Sequence, residues 1–154
     1  MKELRVTAIQ ATSIAGNWEE KWAGVDVPHA LELLDEASTM GSDIVCFPEL
    51  YPLVGEQELL EKAKELNIYI IAGLAKGETQ KWHNTSTIIS PFGSIVGRQT
   101  KNYPTAPELD NGVVAGNEFN VYETDIGRLG IVICADFAFF NDGVQSLNDN
   151  NVDI

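Results

Sequence analysis

The spacing of apolar and polar residues predicts three strands and two helices in alternation through the first half of the chain. Residues 5–12 alternate small or apolar with polar side chains, and the short apolar runs 43–47 and 68–73 are typical of strands buried on both faces. Apolar residues recur at helical spacing over 26–40 and 56–66. This order predicts right-handed crossovers and a mainly parallel sheet at this end of the chain.

The first of these helices has start and stop signals at its ends. Pro28 is tolerated only in a first helical turn, so the helix is predicted to begin at Asp26 or Val27, with Asp26 as its N-cap. Gly41 is predicted to end it.

In the second half of the chain the apolar runs are separated by turn residues. Strands are predicted over 85–90 and 94–100, joined as a hairpin by Pro91-Phe92-Gly93. The next stretch, 102–117, contains prolines, glycines, Asn and Asp, which predict a loop that carries Glu108.

The apolar run from Leu129 to Cys134 is predicted to form a strand buried on both faces. It is predicted to pair with residues 119–124 through a turn at 125–127. A thiol at the end of such a strand lies where active sites collect in open α/β sheets. Residues 140–151 predict a poor helix, and 152–154 the opening of a further strand.

The totals narrow the class of protein. A length of 154 residues, of which 44% are hydrophobic and 21% charged, predicts one globular domain. No apolar stretch approaches the roughly 20 residues that cross a bilayer, and the start lacks the apolar core of a signal peptide. Two cysteines are too few for a disulfide framework, so a cytoplasmic location is expected. The net charge of −13 argues against nucleic-acid or anionic-membrane partners.

Four polar residues at or near the ends of predicted strands have the chemistry of nucleophilic acyl transfer: Glu49, Lys101, Glu108 and Cys134. A thiol with a pKa of about 8.5 needs a base or a positive neighbour to become a useful thiolate. Glu49 can accept its proton in a dry site, and Lys101 can stabilise the thiolate and then the oxyanion.

Each of these residues also has an ordinary structural explanation. A lone Cys134 is more often an inert core residue, because free cysteine is among the most buried residue types. Glu49 can be a loop carboxylate, Lys101 a solvated residue at the end of a hairpin, and Glu108 one acid among 23. Spacing alone therefore leaves the function open.

Three segments resemble the signature segments of the nitrilase superfamily of carbon–nitrogen hydrolases, in that family's order. They are Phe47-Pro48-Glu49-Leu50, Gly97-Arg98-Gln99-Thr100-Lys101 and Leu129-Gly130-Ile131-Val132-Ile133-Cys134-Ala135-Asp136. The resemblance extends over essentially the whole chain, and it implies a single, partial hydrolase-like domain over residues 1–154. The implied fold class is α/β with a mixed sheet, an α-β-β-α sandwich incomplete at the C-terminus.

By position, the resemblance implies a role for each site residue. Cys134 matches the nucleophile, Glu49 the general base, Lys101 the oxyanion stabiliser and Glu108 a second glutamate that positions substrate, while Asp136 matches a supporting position. The implied reaction is hydrolysis of a small amide, carbamoyl compound or nitrile through a thioester, without metal or organic cofactor.

The chain also departs from the family pattern. The family usually has Tyr-Asp-x-Arg-Phe-Pro-Glu after the cysteine, but the Arg and Glu positions here hold Ala138 and Asn141. The stretch from Pro52 to Asn67 leaves room for one helix only, and relatives continue with a second run of strands and helices. We therefore expect a homo-oligomer or a partner chain that covers an open sheet edge and apolar surface.

Two alternatives to a hydrolase stay open. One is a truncated, inactive paralogue that serves as a binding or structural module, which the changes at Ala138 and Asn141 favour. The other is a glutaminase-type unit that passes ammonia to a synthetase. No strand is followed by a GxGxxG turn, which argues against dinucleotide binding.

Overall fold

A computed structural model describes residues 3–154 of the chain. The strands are β1 Val6–Ala8, β2 Ile44–Cys46, β3 Pro52–Leu53, β4 Tyr69–Glu78, β5 Lys81–Ile89, β6 Ile95–Thr100, β7 Val121–Thr124 and β8 Gly127–Gly130. The helices are α1 Trp18–Trp22, α2 Val27–Thr39, α3 Glu56–Leu66, α4 Ala106–Asp110, α5 Ala135–Ala138 and α6 Asp142–Asp149. No helix in this part of the chain is both long and apolar enough to span a membrane.

The chain divides into two compact units, and some strands run from one into the other. The first unit contains the residues up to Leu74 and Thr87–Gly97, and the second contains Ala75–Ser86 and Arg98–Ile154. The strand order is β1-β2-β4-β5-β6, with β3 beside β4, and β7 and β8 form a separate two-stranded sheet. The predicted α/β class is confirmed.

The first unit has the parallel sheet that the sequence predicts. Val6 of β1 pairs with Ile44 of β2, which in turn pairs with Tyr69 of β4, and both pairings are parallel. The predicted strand over residues 5–12 is shorter in the structure, where β1 ends at Ala8.

Helices α2 and α3 cover this sheet with their apolar faces. Leu34 of α2 and Leu59 of α3 are fully buried, in one cluster with Ile70 of β4. On the outside, the Lys62 ammonium lies 2.8 Å from the Asp35 carboxylate and joins the two helices. The predicted helix over 56–66 is confirmed at both ends, because its apolar stripe is unbroken along one face.

Asp26 is the N-cap residue of α2, which begins at Val27 as predicted, but its side chain makes no capping hydrogen bond. Its fully buried carboxylate instead accepts hydrogen bonds from the Ser13 hydroxyl at 2.7 Å and from the backbone N–H groups of Ile14 and Ala15. Burial opposes ionisation, but these bonds and the nearby Lys21 ammonium outweigh it and lower the pKa of Asp26. The Asp26 side chain therefore fixes the loop before α1 and not the first turn of α2.

The hairpin β7–β8 in the second unit is confirmed, with Thr124 paired to Gly127 across the predicted turn. The Gly130 N–H donates to the Ile154 carbonyl, and the Ile154 N–H donates to the Arg128 carbonyl. The last residues therefore lie beside β8, which agrees with the strand opening predicted over 152–154. The predicted helix over 140–151 is α6.

For the strand predicted over 129–134, both the predicted last residue and the predicted burial on both faces are wrong. Strand β8 stops at Gly130, and Ile131 and Val132 are only half-buried. A short apolar run has the same periodicity in a half-covered hairpin as in a strand covered on both faces, so the sequence pattern does not separate them.

Candidate functional site

Lys101 is a buried cation directly after β6. Its side chain is 1% exposed, and its Nζ lies 2.7 and 2.9 Å from the two carboxylate oxygens of Glu108. Its backbone is fixed on both sides, since its N–H donates to the Asn84 carbonyl and its carbonyl accepts from the Gly116 N–H. The interpretation of Lys101 as a solvated hairpin residue is wrong.

The Glu108 carboxylate is held by two residues in addition to Lys101. Asn84 Nδ2 donates to Oε1 at 3.0 Å, and the Thr105 N–H and hydroxyl donate to Oε2 at 2.7 and 2.8 Å. Burial opposes ionisation of this carboxyl group, but the Lys101, Thr105 and Asn84 hydrogen bonds outweigh burial and lower the pKa of Glu108. The pair is therefore an anion and a cation that fix one another.

Glu108 lies on a short helix, α4, where a loop was predicted over 102–117. Thr105 and Glu108 form a reciprocal capping box, in which each side chain bonds to the backbone of the other residue. The pattern Thr105-Ala106-Pro107-Glu108, with proline in the first turn, is the signal that identifies this helix. Asn84 and Thr105, which hold Glu108, had no predicted role in the site.

Asp136 connects the helix after Cys134 to the segment after Lys101. Its fully buried carboxylate accepts the N–H of Tyr103 at 2.8 Å and that of Asn102 at 3.1 and 3.2 Å. Burial is the largest influence and raises the pKa of Asp136, although these backbone hydrogen bonds act in the opposite direction. Asp136 thus links the segment after Cys134 to the segment after Lys101.

Cys134 is exposed and directly precedes α5. Its φ of 48° lies where residues other than glycine are rare and strained, and such strain concentrates at functional sites. Its carbonyl accepts the N–H groups of Phe137 and Ala138 and thereby starts the helix. Cys134 is therefore not a core residue.

Glu49 belongs to the first unit, in an exposed turn after β2. A Cβ atom on Gly73 of β4 would lie 2.7 Å from the Pro48 carbonyl oxygen and 2.4 Å from the Leu50 nitrogen, so the backbone on both sides of Glu49 rests against Gly73. Lys21 Nζ also donates to the Leu50 carbonyl at 3.4 Å. The turn that carries Glu49 is therefore fixed by its own unit.

The structure thus brings together Lys101 and Glu108 directly, and joins Asp136 to the residues that follow Lys101. Within residues 3–154, no group of three or more His, Cys, Asp or Glu side chains is placed to hold a metal ion. In chemical terms, the second unit has an exposed cysteine and a buried, charge-balanced ammonium, which are two of the components of acyl transfer through a cysteine.

The known sequences that are similar to this chain are carbon–nitrogen hydrolases and amidases. The family described as carbon–nitrogen hydrolase matches residues 5–154. A deaminated glutathione amidase from Synechocystis sp. is 30% identical over 90% of this chain and 60% of its own length. The omega-amidase NIT2 from Homo sapiens is 26% identical over 74% of this chain and 50% of its own length. The chain thus spans about half to three fifths of these relatives.

Solved structures of the same family share the fold. An amidase from Nesterenkonia sp., with the acetamide moiety of fluoroacetamide added covalently at its active site cysteine, has a TM-score of 0.79 and 16% identity, covering 97% of this chain and 62% of that chain. A carbon–nitrogen hydrolase from Helicobacter pylori has a TM-score of 0.79 and 18% identity, covering 97% and 57%.

Proposed function

This chain belongs to the carbon–nitrogen hydrolase family, the nitrilase superfamily, and from that membership we propose that it hydrolyses the carbon–nitrogen bond of a small amide through Cys134. The observation that carries the proposal is the linkage of site residues in the second unit. Glu108 holds the Lys101 ammonium, and Asp136, two residues after Cys134, binds the backbone that follows Lys101.

The first half of the proposed reaction forms a thioester. Glu49 accepts the thiol proton of Cys134, and the sulfur forms a bond to the amide carbon while the carbonyl electron pair moves to oxygen. The Lys101 ammonium stabilises that oxyanion. Glu49 then donates the proton to the leaving nitrogen, the carbon–nitrogen bond breaks, and ammonia departs.

The second half releases the acid. Glu49 accepts a proton from water, and the water oxygen forms a bond to the thioester carbon. The carbon–sulfur bond then breaks, the sulfur recovers its proton from Glu49, and the carboxylic acid leaves. Atoms and charges balance with amide and water as the only reactants.

The surroundings of Lys101 support its role as the oxyanion stabiliser. A fixed positive charge is most effective where water is excluded, and this side chain is 1% exposed. Because the pKa of Glu108 is lowered, its carboxylate stays charged at neutral pH and keeps the ammonium in place. The role of Glu108 in the proposal is accordingly to position Lys101 as well as substrate.

The partners and location of the protein stay predictions. We expect an assembly with a second copy or another chain, and a cytoplasmic location. Sedimentation velocity tests the assembly, because a compact and stable monomer is the result that contradicts it.

The proposal is tested by measuring ammonia released from a panel of amides by the wild type and by Cys134→Ala. We expect hydrolysis of at least one amide by the wild type, and a loss of kcat of at least about a thousandfold in the variant. Mass spectrometry of acid-quenched reactions is expected to show the acyl group on the peptide that contains Cys134.

Cys46→Ala is the matched control, because Cys46 is the other cysteine of the chain and is only half-buried. This variant is expected to retain hydrolysis. Undiminished activity in Cys134→Ala, or an acyl group found on Cys46, contradicts the proposal.

A further inference from the structure

We propose that the acyl part of the substrate binds in an apolar cavity of about 400 Å³ between α4, α5 and residues 102–105, so that the substrate is the amide of an uncharged alkyl or aryl acid. This inference rests on the proposed function and narrows its substrate class. All residues that line the cavity belong to the second unit.

Two residues that line the cavity are direct neighbours of candidate catalytic residues. Ala135 lines it and follows Cys134 directly in the chain. Thr105 lines it too, and donates through both N–H and hydroxyl to Glu108, the partner of Lys101. The cavity therefore has in its wall one residue next to the proposed nucleophile and one that binds the partner of Lys101.

The lining of the cavity is apolar and contains aromatic rings. Leu109, Phe139 and Phe140 supply most of its large side chains, and the ring of Tyr103 stacks on Phe140 with 3.8 Å between ring centroids. The Tyr103 hydroxyl, the polar group of that ring, donates a hydrogen bond to the Asp142 carboxylate. Apolar clefts of a few hundred Å³ with a small number of polar groups are typical of small-molecule sites.

The charges of the cavity select against an acidic acyl group. None of the residues that line it is Lys, Arg or His, so a carboxylate placed there has no cation to pair with. Amides of dicarboxylic acids are therefore expected to be poor substrates. Uncharged chains and rings, by contrast, bury apolar surface against Leu109 and the two phenylalanines.

The first test measures kcat/KM for unbranched amides from acetamide to hexanamide, together with phenylacetamide and glutaramate. We expect kcat/KM to rise about fourfold with each added methylene group. Glutaramate is expected to be at least about 30-fold poorer than pentanamide, which has the same length without the carboxylate. A flat series in which glutaramate is equal or better overturns the inference but leaves the proposed function standing.

A matched pair of variants tests whether the alkyl chain of the substrate contacts Phe139. Phe139→Ala is expected to reduce the ratio of hexanamide to acetamide kcat/KM by about fivefold, whereas Phe92→Ala, an equally exposed phenylalanine of the first unit, is expected to leave that ratio unchanged (77% and 79% exposed). Equal ratios in both variants count against the cavity.

A binding measurement separates this inference from the failure of catalysis. In Cys134→Ala, the NMR methyl signals of Leu109 and Ala135 are expected to shift saturably with hexanamide and not with glutaramate, while the Leu66 methyl signals stay in place. If no amide is hydrolysed but these shifts occur, the proposed function fails and the cavity stands. If the shifts do not occur, the cavity proposal is wrong.

Discussion

The two cysteines of the chain come from similar sequence surroundings and have different structural environments. Each ends or nearly ends a short apolar run, Ile44–Phe47 for Cys46 and Leu129–Cys134 for Cys134. Cys46 is the last residue of β2 and pairs with Ala8 on one side and Ile71 on the other. Cys134 lies beyond the end of its strand, at a φ of 48°.

The consequence of this difference is chemical. Burial raises the pKa of the Cys46 thiol, which is half-buried and lies 3.6 Å from the Phe47 carbonyl oxygen. Cys134 is exposed at the start of α5. A strand with neighbours on both sides holds Cys46 in the sheet, whereas the turn beyond β8 leaves Cys134 exposed. The exposure of each cysteine thus depends on where its strand stops, not on the apolar run itself.

The largest expected effect is a loss of folding stability when the Lys101 ammonium next to Glu108 is removed. It tests whether the second unit, which carries Cys134, is held by this ion pair. Lys101→Met is expected to destabilise the protein by about 3 kcal/mol, because it leaves the partly buried Glu108 carboxylate without its ammonium partner. Urea unfolding checks the loss, and Cys46 is then expected to become more reactive towards alkylation as the protein unfolds.

The double variant Lys101→Met with Glu108→Gln is the control for that experiment. It is expected to recover more than half of the lost stability, since a neutral amide replaces the unpaired charge. If the double variant is no more stable than Lys101→Met alone, the ion pair is not what holds this part of the second unit.

The next effect is the difference in alkylation rate between the two thiols in the folded protein. At pH 7 we expect iodoacetamide to modify Cys134 at least about 30-fold faster than Cys46, because Cys134 is exposed and burial raises the pKa of Cys46. Peptide mass spectrometry after timed quenching measures both rates in one sample.

Unfolding in urea supplies the control, because both thiols then have similar surroundings. The two rates are expected to converge to within about threefold in the unfolded chain. Equal and slow labelling in the folded protein would instead favour an inactive module that keeps the fold without the chemistry.

Much of the first unit could be predicted because its signals extend over many residues. Helix α3 matches its predicted bounds, since its apolar stripe and polar flanks agree over three turns. The short helices α1 and α4 were not predicted, because five residues are too few to show a helical period. Their capping residues, Asn17 and Thr105, were the usable signal.

The sequence indicates a set of candidate site residues but not their geometry. The resemblance identified Lys101, Glu108 and Asp136, but nothing in the spacing indicates that Lys101 is buried or that Asp136 binds the Tyr103 backbone. Such contacts join residues about 30 positions apart and depend on how the intervening turns fold. The end of β8 at Gly130 is of the same kind, because an apolar run does not mark where its partner strand stops.

The smallest effect is one in which the two cysteines are expected to respond with opposite signs. Cys134→Gly is expected to be more stable than Cys134→Ala by about 1 kcal/mol, because glycine adopts a positive φ without strain. Cys46→Gly is expected to be less stable than Cys46→Ala by about the same amount, because glycine in a strand loses more conformational entropy on folding. Urea unfolding of the four variants at one pH measures both differences. If glycine is unfavourable at both positions, Cys134 does not have the strained backbone that sets it apart from Cys46.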